Sequence, residues 1–318
     1  MIQTVLLLLL GLVVLLAAGE SLVRGAANLA RVLNVPSLII ALTVVAFGTS
    51  APELVVTVQA VASDAAGIAM GNIIGSNIAN ILLVLGLPAI LAPISLAVPR
   101  LRRHAVVLAL GTALFCGVIY TRGAIAREEA ILFSAAMIAV LAMMVLEARK
   151  HADEFTGEAE ELFDEKPRLS KTLVLVIVGL LGLPIGAHLL VSNGTILAAE
   201  LGVREEVIGL TIIAFGTSLP ELATVLSAAI RKSGDVAAGS IIGSNIFNML
   251  FVGAAAGFVG RSTFSDAALA IDLPVMMAAT LGIVILIFLA KPIGRLLGGF
   301  SVLLYLAYIA VIGGLVAL

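Results

Sequence analysis

Ala46-Phe47-Gly48-Thr49-Ser50-Ala51-Pro52-Glu53-Leu54 recurs 168 residues later as Ala214-Phe215-Gly216-Thr217-Ser218-Leu219-Pro220-Glu221-Leu222, with one substitution. Each copy lies inside an apolar stretch long enough to cross a bilayer. Gly48 and Gly216 tolerate unusual backbone angles, and Pro52 and Pro220 cannot donate to the carbonyl four residues back, so each copy breaks its helix. A carboxylate, Glu53 or Glu221, follows at once. The run from Pro36 to Phe47 supplies about 18 Å of helix before the motif, which puts Glu53 near mid-membrane. An ionised side chain there costs at least about 2.5–3.5 kcal/mol on insertion scales. Ser50 to Glu53 and Ser218 to Glu221 also read as capping boxes, yet a cap contributes only about 1 kcal/mol. Capping can orient these residues but does not offset the charge. The pattern points to a cation site.

Composition sets the class. Hydrophobic residues make up 61% of the 318, charged residues only 12%, and the mean hydropathy is +1.21. The apolar residues fall in runs of about 20, too long for barrel strands, so the chain reads as an all-α polytopic membrane protein with no room for a large soluble domain. The net charge of −2 singles out no partner, nucleic acid included, and one cysteine, Cys116, excludes an intrachain disulfide. No basic residue precedes the first run, which argues for a first membrane helix rather than a cleaved signal. Ten spans are predicted, near 3–23, 36–62, 67–92, 104–121, 128–147, 171–192, 203–230, 235–259, 268–290 and 299–317. Of the 18 basic residues, 14 then fall on the side reached after the first span and 4 on the other. The positive-inside rule makes that first side cytoplasmic and puts both termini outside.

The two halves align without gaps from 46 to 84 at the offset of 168. Gly71-Asn72-Ile73-Ile74-Gly75-Ser76-Asn77-Ile78-Ala79-Asn80 matches Gly239-Ser240-Ile241-Ile242-Gly243-Ser244-Asn245-Ile246-Phe247-Asn248. The duplicated unit is about five helices, an odd number, so the second copy enters the membrane from the opposite face. The expected organisation is a five-helix repeat over 1–147, an acidic cytoplasmic linker over 148–170, and an inverted five-helix repeat over 171–318. Such inverted repeats place ion sites at their interface near the midplane, on broken helices. Within one copy, Thr49 and Ser50 add hydroxyls to Glu53, the break frees carbonyls near Ala46 to Thr49, and Ser76 and Asn80 share a face of the next helix. Carboxylate, carbonyl, amide and hydroxyl oxygens suit hard cations such as Ca²⁺ and Na⁺, not zinc or copper.

Other polar groups carry less. Segment 148–170 reads as a solvated linker, too short for a folded regulatory domain. The pairs Gly71/Gly75 and Gly239/Gly243 read as close helix packing. Asn77 and Asn245 point away from the Ser–Asn face and read as interhelical hydrogen bonders. His188 occupies the position equivalent to Glu20 and reads as a hydrogen-bonded or vestibule-facing histidine, with a proton-sensitive gate as the sharper alternative. Asp272 reads as interfacial; Glu147 and His104 sit at span ends and need no special role.

These motifs resemble the sodium/calcium exchanger superfamily, the calcium/cation antiporters, and specifically its compact prokaryotic members. The resemblance implies a secondary-active antiporter that exchanges Na⁺ for Ca²⁺ at a central site. Glu53 and Glu221 would bind Ca²⁺ with the carbonyls of Thr49 and Thr217. Sodium sites would use Ser50, Ser218, Ser76, Ser244, the carbonyls of Ala46 and Ala214, and the same glutamates, with Asn80 and Asn248 completing the ring. The first and sixth helices would slide across the rest to expose the site alternately. Several relatives carry aspartate at the position of Asn248; here both halves have asparagine, which leaves potassium dependence and sodium stoichiometry open. The implied partners are Ca²⁺, Na⁺ and the bilayer of the cell (inner) membrane, with no resident cofactor and a monomer sufficient for transport. A H⁺/Ca²⁺ exchanger is the nearest alternative and a cation channel a distant one. An enzyme is not expected, since no His-rich metal set, paired catalytic aspartates or Ser–His dyad is present.

Overall fold

The computed structural model describes residues 2–150, 167–200, 216–264 and 268–316. Helices dominate them: α1 (Ile2–Leu33), α2 (Ser37–Thr49), α3 (Ala51–Ala62), α4 (Ala66–Leu91), α5 (Leu101–Arg122), α6 (Arg127–Lys150), α7 (Leu169–Glu200), α8 (Leu219–Ile230), α9 (Gly234–Val259), α10 (Leu273–Phe288) and α11 (Arg295–Val316). A two-residue antiparallel ribbon pairs β1 (Ala124–Ile125) with β2 (Ser262–Thr263). Among the described residues, eight helices are by themselves long and apolar enough to cross a membrane. The pair α2 and α3, bent by 42°, makes a ninth. The chain is a multi-pass, all-helical membrane protein. Of the expected span 203–230, residues 203–215 lie outside the described residues, as do 151–166 of the linker.

Two boundaries differ from the sequence reading. The first helix does not stop near residue 23 but continues to Leu33. Arg24 looked like a membrane boundary; instead its Nε donates to Glu20 Oε1 one turn back at 2.7 Å, while Arg31 lies in the last turn, where a cation favours the helix dipole. The linker is likewise shorter than 148–170, because α6 runs on to Lys150 and α7 starts at Leu169.

Burial sorts the helices into an inside and an outside. α4 and α9 are buried along most of their length, whereas the N-terminal part of α1 and most of α11 are exposed. Ile2, Leu6, Leu9, Leu10, Val13 and Leu16 all face outward from α1, as a lipid-facing stripe requires. α4 and α9 lie side by side and antiparallel, since Asn80 reaches Asn245 and Ser76 reaches Asn248. α4 carries a π-helical turn at Asn80–Val84 and α9 one at Phe247–Val252. Such turns interrupt regular hydrogen bonding and gather at functional sites; here they fall at equivalent places in the two halves.

Apolar packing forms two separate clusters. The larger holds α4, α5, α6, α9 and α10 with parts of α2, α3 and α8. The smaller is built from α1 and α7, closed by Ile40, Val45, Leu219 and Ala223. α1 and α7 run antiparallel at very close range. A Cβ added at Gly186 would lie 2.6 Å from the Leu15 nitrogen, and one at Gly179 2.6 Å from the Leu22 Cβ. Lipid tails are as apolar as leucine, so close van der Waals contact between small residues drives this pairing. The expected tight packing of Gly239 and Gly243 is present, against Ala41 and Ala46 respectively. For Gly71 and Gly75 the counterpart segment falls at 206–214, outside the described residues.

Gly186→Val is expected to destabilise the protein by about 1–3 kcal/mol through overpacking. Thermal unfolding in detergent measures this, and an unchanged transition would contradict the α1–α7 contact.

Candidate cation site

The two motifs adopt the same backbone. Ser50 has φ −81° and ψ 3°, and Ser218 has φ −87° and ψ 3°. In both, a proline follows within the first two helical positions, where its missing N–H costs little because those N–H groups have no intrahelical acceptor. Glu53 and Glu221 therefore both sit in the first turn of a short helix, where the dipole favours a carboxylate. The chain bends at Ser50 rather than unwinding. Its N–H still bonds the Ala46 carbonyl at 3.0 Å, and the Thr49 hydroxyl bonds the same oxygen at 3.3 Å. The Ala46 carbonyl, expected to be free, is thus engaged in this conformation. Ala214 lies outside the described residues.

The capping reading fails. Neither Ser50 nor Ser218 makes a side-chain cap bond. Ser50 Oγ turns instead across the molecule to Glu221 Oε1, a long contact of 3.5 Å. Ser244 Oγ reaches the same oxygen at 3.5 Å, and Thr49 Oγ1 lies 3.3 Å from Ser244 Oγ. One glutamate is thereby approached by hydroxyls from both halves. A second set of bonds joins the halves through α4 and α9. Asn248 Nδ2 donates to Ser76 Oγ at 3.0 Å, Asn80 Nδ2 to Asn245 Oδ1 at 3.0 Å, and Asn245 Nδ2 to the Asn77 carbonyl at 3.2 Å. Asn245 is the interhelical bonder anticipated, while Asn77 Nδ2 bonds the Ile73 carbonyl of its own helix.

Nearly all the expected ligands are brought into one buried layer. Thr49, Ser50, Glu53, Ser76, Asn80, Ser218, Glu221, Ser244 and Asn248 are all buried, and Thr217 is half-buried. Glu53 and Glu221 are within Coulombic reach of each other. Among the described residues neither takes part in a salt bridge. Among the described residues, both carboxylate oxygens of Glu53, Glu221 Oε2, Asn80 Oδ1, Asn248 Oδ1 and Ser218 Oγ have no hydrogen-bond partner. Buried acceptors are rarely left so, and each costs about 1–3 kcal/mol. The two amides point their donors at neighbouring side chains and leave their oxygens unpaired. Two carboxylates with neutral oxygens around them are a donor set of the kind that hard cations prefer. Among the described residues no group of three or more His, Cys, Asp or Glu gathers.

Two features escaped the sequence reading. Asn72 Nδ2 donates to the Glu53 carbonyl at 3.1 Å and to Thr57 Oγ1 at 2.9 Å, tying α3 to α4 beside the carboxylate. Its counterpart Ser240 only bonds Ala237 of its own helix; because the repeat is imperfect there, comparison of the halves passed over it. His104 and Glu147 meet at 3.5 Å, both buried, with Arg103 3.7 Å from the carboxylate. The α5–α6 hairpin joins span ends that lie 43 residues apart in the chain, a proximity no local pattern carries.

The family model described as sodium/calcium exchanger protein matches residues 3–146 and 171–314, two stretches with the same offset as the motifs. The protein CaxA of Alkalimonas amylolytica is 39% identical over 291 residues, 90% of each chain. The sodium/calcium exchanger MaX1 of Methanosarcina acetivorans is 32% identical over 341 residues, covering 96% of this chain and 97% of that one. A solved structure of the sodium-calcium exchanger NCX_Mj, soaked with zero Na⁺ and Ca²⁺, superimposes with a TM-score of 0.85 at 32% identity, over 98% of this chain and 99% of its own.

Glu53→Gln and Glu221→Gln are each expected to abolish Ca²⁺ binding in calorimetry on the purified protein. They should also remove the thermal stabilisation by Ca²⁺, which for an intact site is about 2.7 kcal/mol at a hundredfold excess over Kd. Near-normal affinity in either variant would refute the assignment.

Proposed function

The chain belongs to the sodium/calcium exchanger family as one of its compact members, and on that premise we propose that it exchanges Na⁺ for Ca²⁺ by alternating access. The observation that carries this reading is the pair of buried carboxylates, one from each half, within Coulombic reach of each other, with hydroxyls of both halves on Glu221. Ten spans would form two inverted five-helix repeats, 1–147 and 171–318, around a linker at 148–170. The 168-residue offset of the motifs and the antiparallel pairings of α1 with α7 and α4 with α9 support that organisation. The distribution of Lys and Arg supports a cytoplasmic linker and extracytoplasmic termini. Transport moves ions without bond chemistry, so no catalytic residue is assigned.

In this mechanism Glu53 and Glu221 supply a charge of −2 that one Ca²⁺ or the competing Na⁺ ions neutralise. Ca²⁺ would take both carboxylates together with the carbonyls of Thr49 and Thr217. Sodium ions would share the glutamates and draw on Ser50, Ser76, Ser218, Ser244 and the alanine carbonyls. For Ala46 this requires its carbonyl to give up the bond from the Thr49 hydroxyl or the Ser50 N–H. Asn80 Oδ1 and Asn248 Oδ1 complete the ring as neutral acceptors. A site holding net charge is costly to carry through the apolar bundle, so the halves rearrange only when ions offset the carboxylates. Competition for shared oxygens then couples the two ion flows.

A second reading, H⁺/Ca²⁺ exchange, is favoured by one observation: the amides at 80 and 248 leave the two glutamates as the site's sole ionisable groups, and both can carry protons. Purified protein in liposomes should accumulate Ca²⁺ under an outward-directed Na⁺ gradient. Uptake driven by a proton gradient alone would transfer the assignment to the second reading. No uptake in either gradient would end both, and single-channel currents would mark a channel instead.

A further inference from the structure

We infer that Glu20 is a positioning residue for the transport cycle: it latches α1 to the cytoplasmic end of α8 and holds the approach to Glu221 shut. This rests on the antiporter reading and its inverted repeats. Glu20 lies on α1, whose apolar cluster with α7 also takes in Leu219 and Ala223 of α8. Next to it, Gly19 lies so close to α8 that an added Cβ would stand 2.8 Å from the Ala223 carbonyl oxygen. The Glu20 carboxylate is crowded with donors. Ser227 Oγ donates to Oε2 at 2.6 Å, Arg231 Nε to Oε2 at 2.7 Å, and Arg24 Nε to Oε1 at 2.7 Å; Arg231 Nη2 also contacts Oε1.

Glu221, Thr224, Ser227 and Arg231 fall within one flank of α8, so the latch sits about 9–15 Å of helix from the site carboxylate. Arg24 and Arg231 belong to the side that charge counting makes cytoplasmic. With the ion pairs formed, α1 covers that flank. Among the described residues the opposite face shows no equivalent contact. At the repeat offset, Glu20, Arg24, Ser227 and Arg231 correspond to His188, Ser192, Gln59 and Ser63. His188, Gln59 and Ser63 are exposed, and among the described residues no ion pair joins them. The ion pairs at Glu20 bias the resting protein towards a closed cytoplasmic side.

Access is measured with Thr224→Cys in a Cys116→Ala background, labelled from the cytoplasmic side by a membrane-impermeant maleimide. Adding Glu20→Gln should speed labelling roughly fivefold, as loss of an ion-pair cluster shifts a two-state balance. The charge swap Glu20→Arg with Arg231→Glu should restore the slow rate. In sided flux assays, Glu20→Gln should lower the half-saturating Ca²⁺ from the cytoplasmic face and raise it from the outer face, with the maximal rate within about twofold. Unchanged labelling, or equal shifts at both faces, would overturn the latch. Labelling needs no transport, so absence of Ca²⁺ flux in the parent protein would defeat the antiporter reading while labelling still decides the latch.

Discussion

Two carboxylates, Glu53 and Glu221, are fully buried in an apolar bundle, within Coulombic reach of each other and without a basic partner among the described residues. Like charges in such a place repel and forgo hydration. Most of the surrounding structure follows from that strain. Each glutamate sits in the first turn of a short helix, where unbonded N–H groups supply partial positive charge. Ser50 and Ser244 give hydroxyl contacts to Glu221, and among the described residues the Glu53 oxygens have none. The amides of Asn80 and Asn248 direct their donors elsewhere and leave acceptors behind. An arrangement so rich in unpaired acceptors offers a cation the partners that its own donors do not supply, which is the basis of the proposed site.

The same constraint explains the division of the bundle into two packed clusters. Ligands drawn from both halves must be held in register, and polar bonds between α4 and α9 do this: Asn80 to Asn245, Asn245 to Asn77, and Asn248 to Ser76. The α1–α7 pair instead meets through glycine and alanine surfaces with few directional bonds. Contacts of that kind have little geometric preference along the helix axis. Where such a pair touches the rest of the molecule, a charged contact such as Glu20 with Arg231 supplies the direction that apolar packing lacks. The two glutamates are also held differently, Glu53 by the backbone tie from Asn72 and Glu221 by hydroxyls on its carboxylate.

Much of the site was legible because local rules govern it. Glycine and proline positions fix the bend, the four-residue spacing of Ser76 and Asn80 fixes their common face, and the duplication points both sets inward. Local rules also misled. Ser50 and Glu53 have the spacing of a capping box, yet the serine turns to Glu221, a residue 171 positions away. Arg24 resembled a membrane boundary, yet an acid one turn back lets the helix run on. The Ala46 carbonyl was expected to be free, yet a 42° bend is gentle enough to keep its helical bond from Ser50.

The sequence by itself determined the class of the protein, the helix breaks, the identities of the paired carboxylates and the duplicated order of their neighbours. Those properties depend on hydropathy and on backbone chemistry within a few residues. Only the tertiary structure decided which oxygens remain unpaired among the described residues, that Asn72 ties the Glu53 backbone, that His104 meets Glu147, and that Glu20 bonds Arg231. Each of these depends on how different helices meet. Whether a donor is consumed or an acceptor left open depends on the distance and rotation between helices, which no single segment encodes.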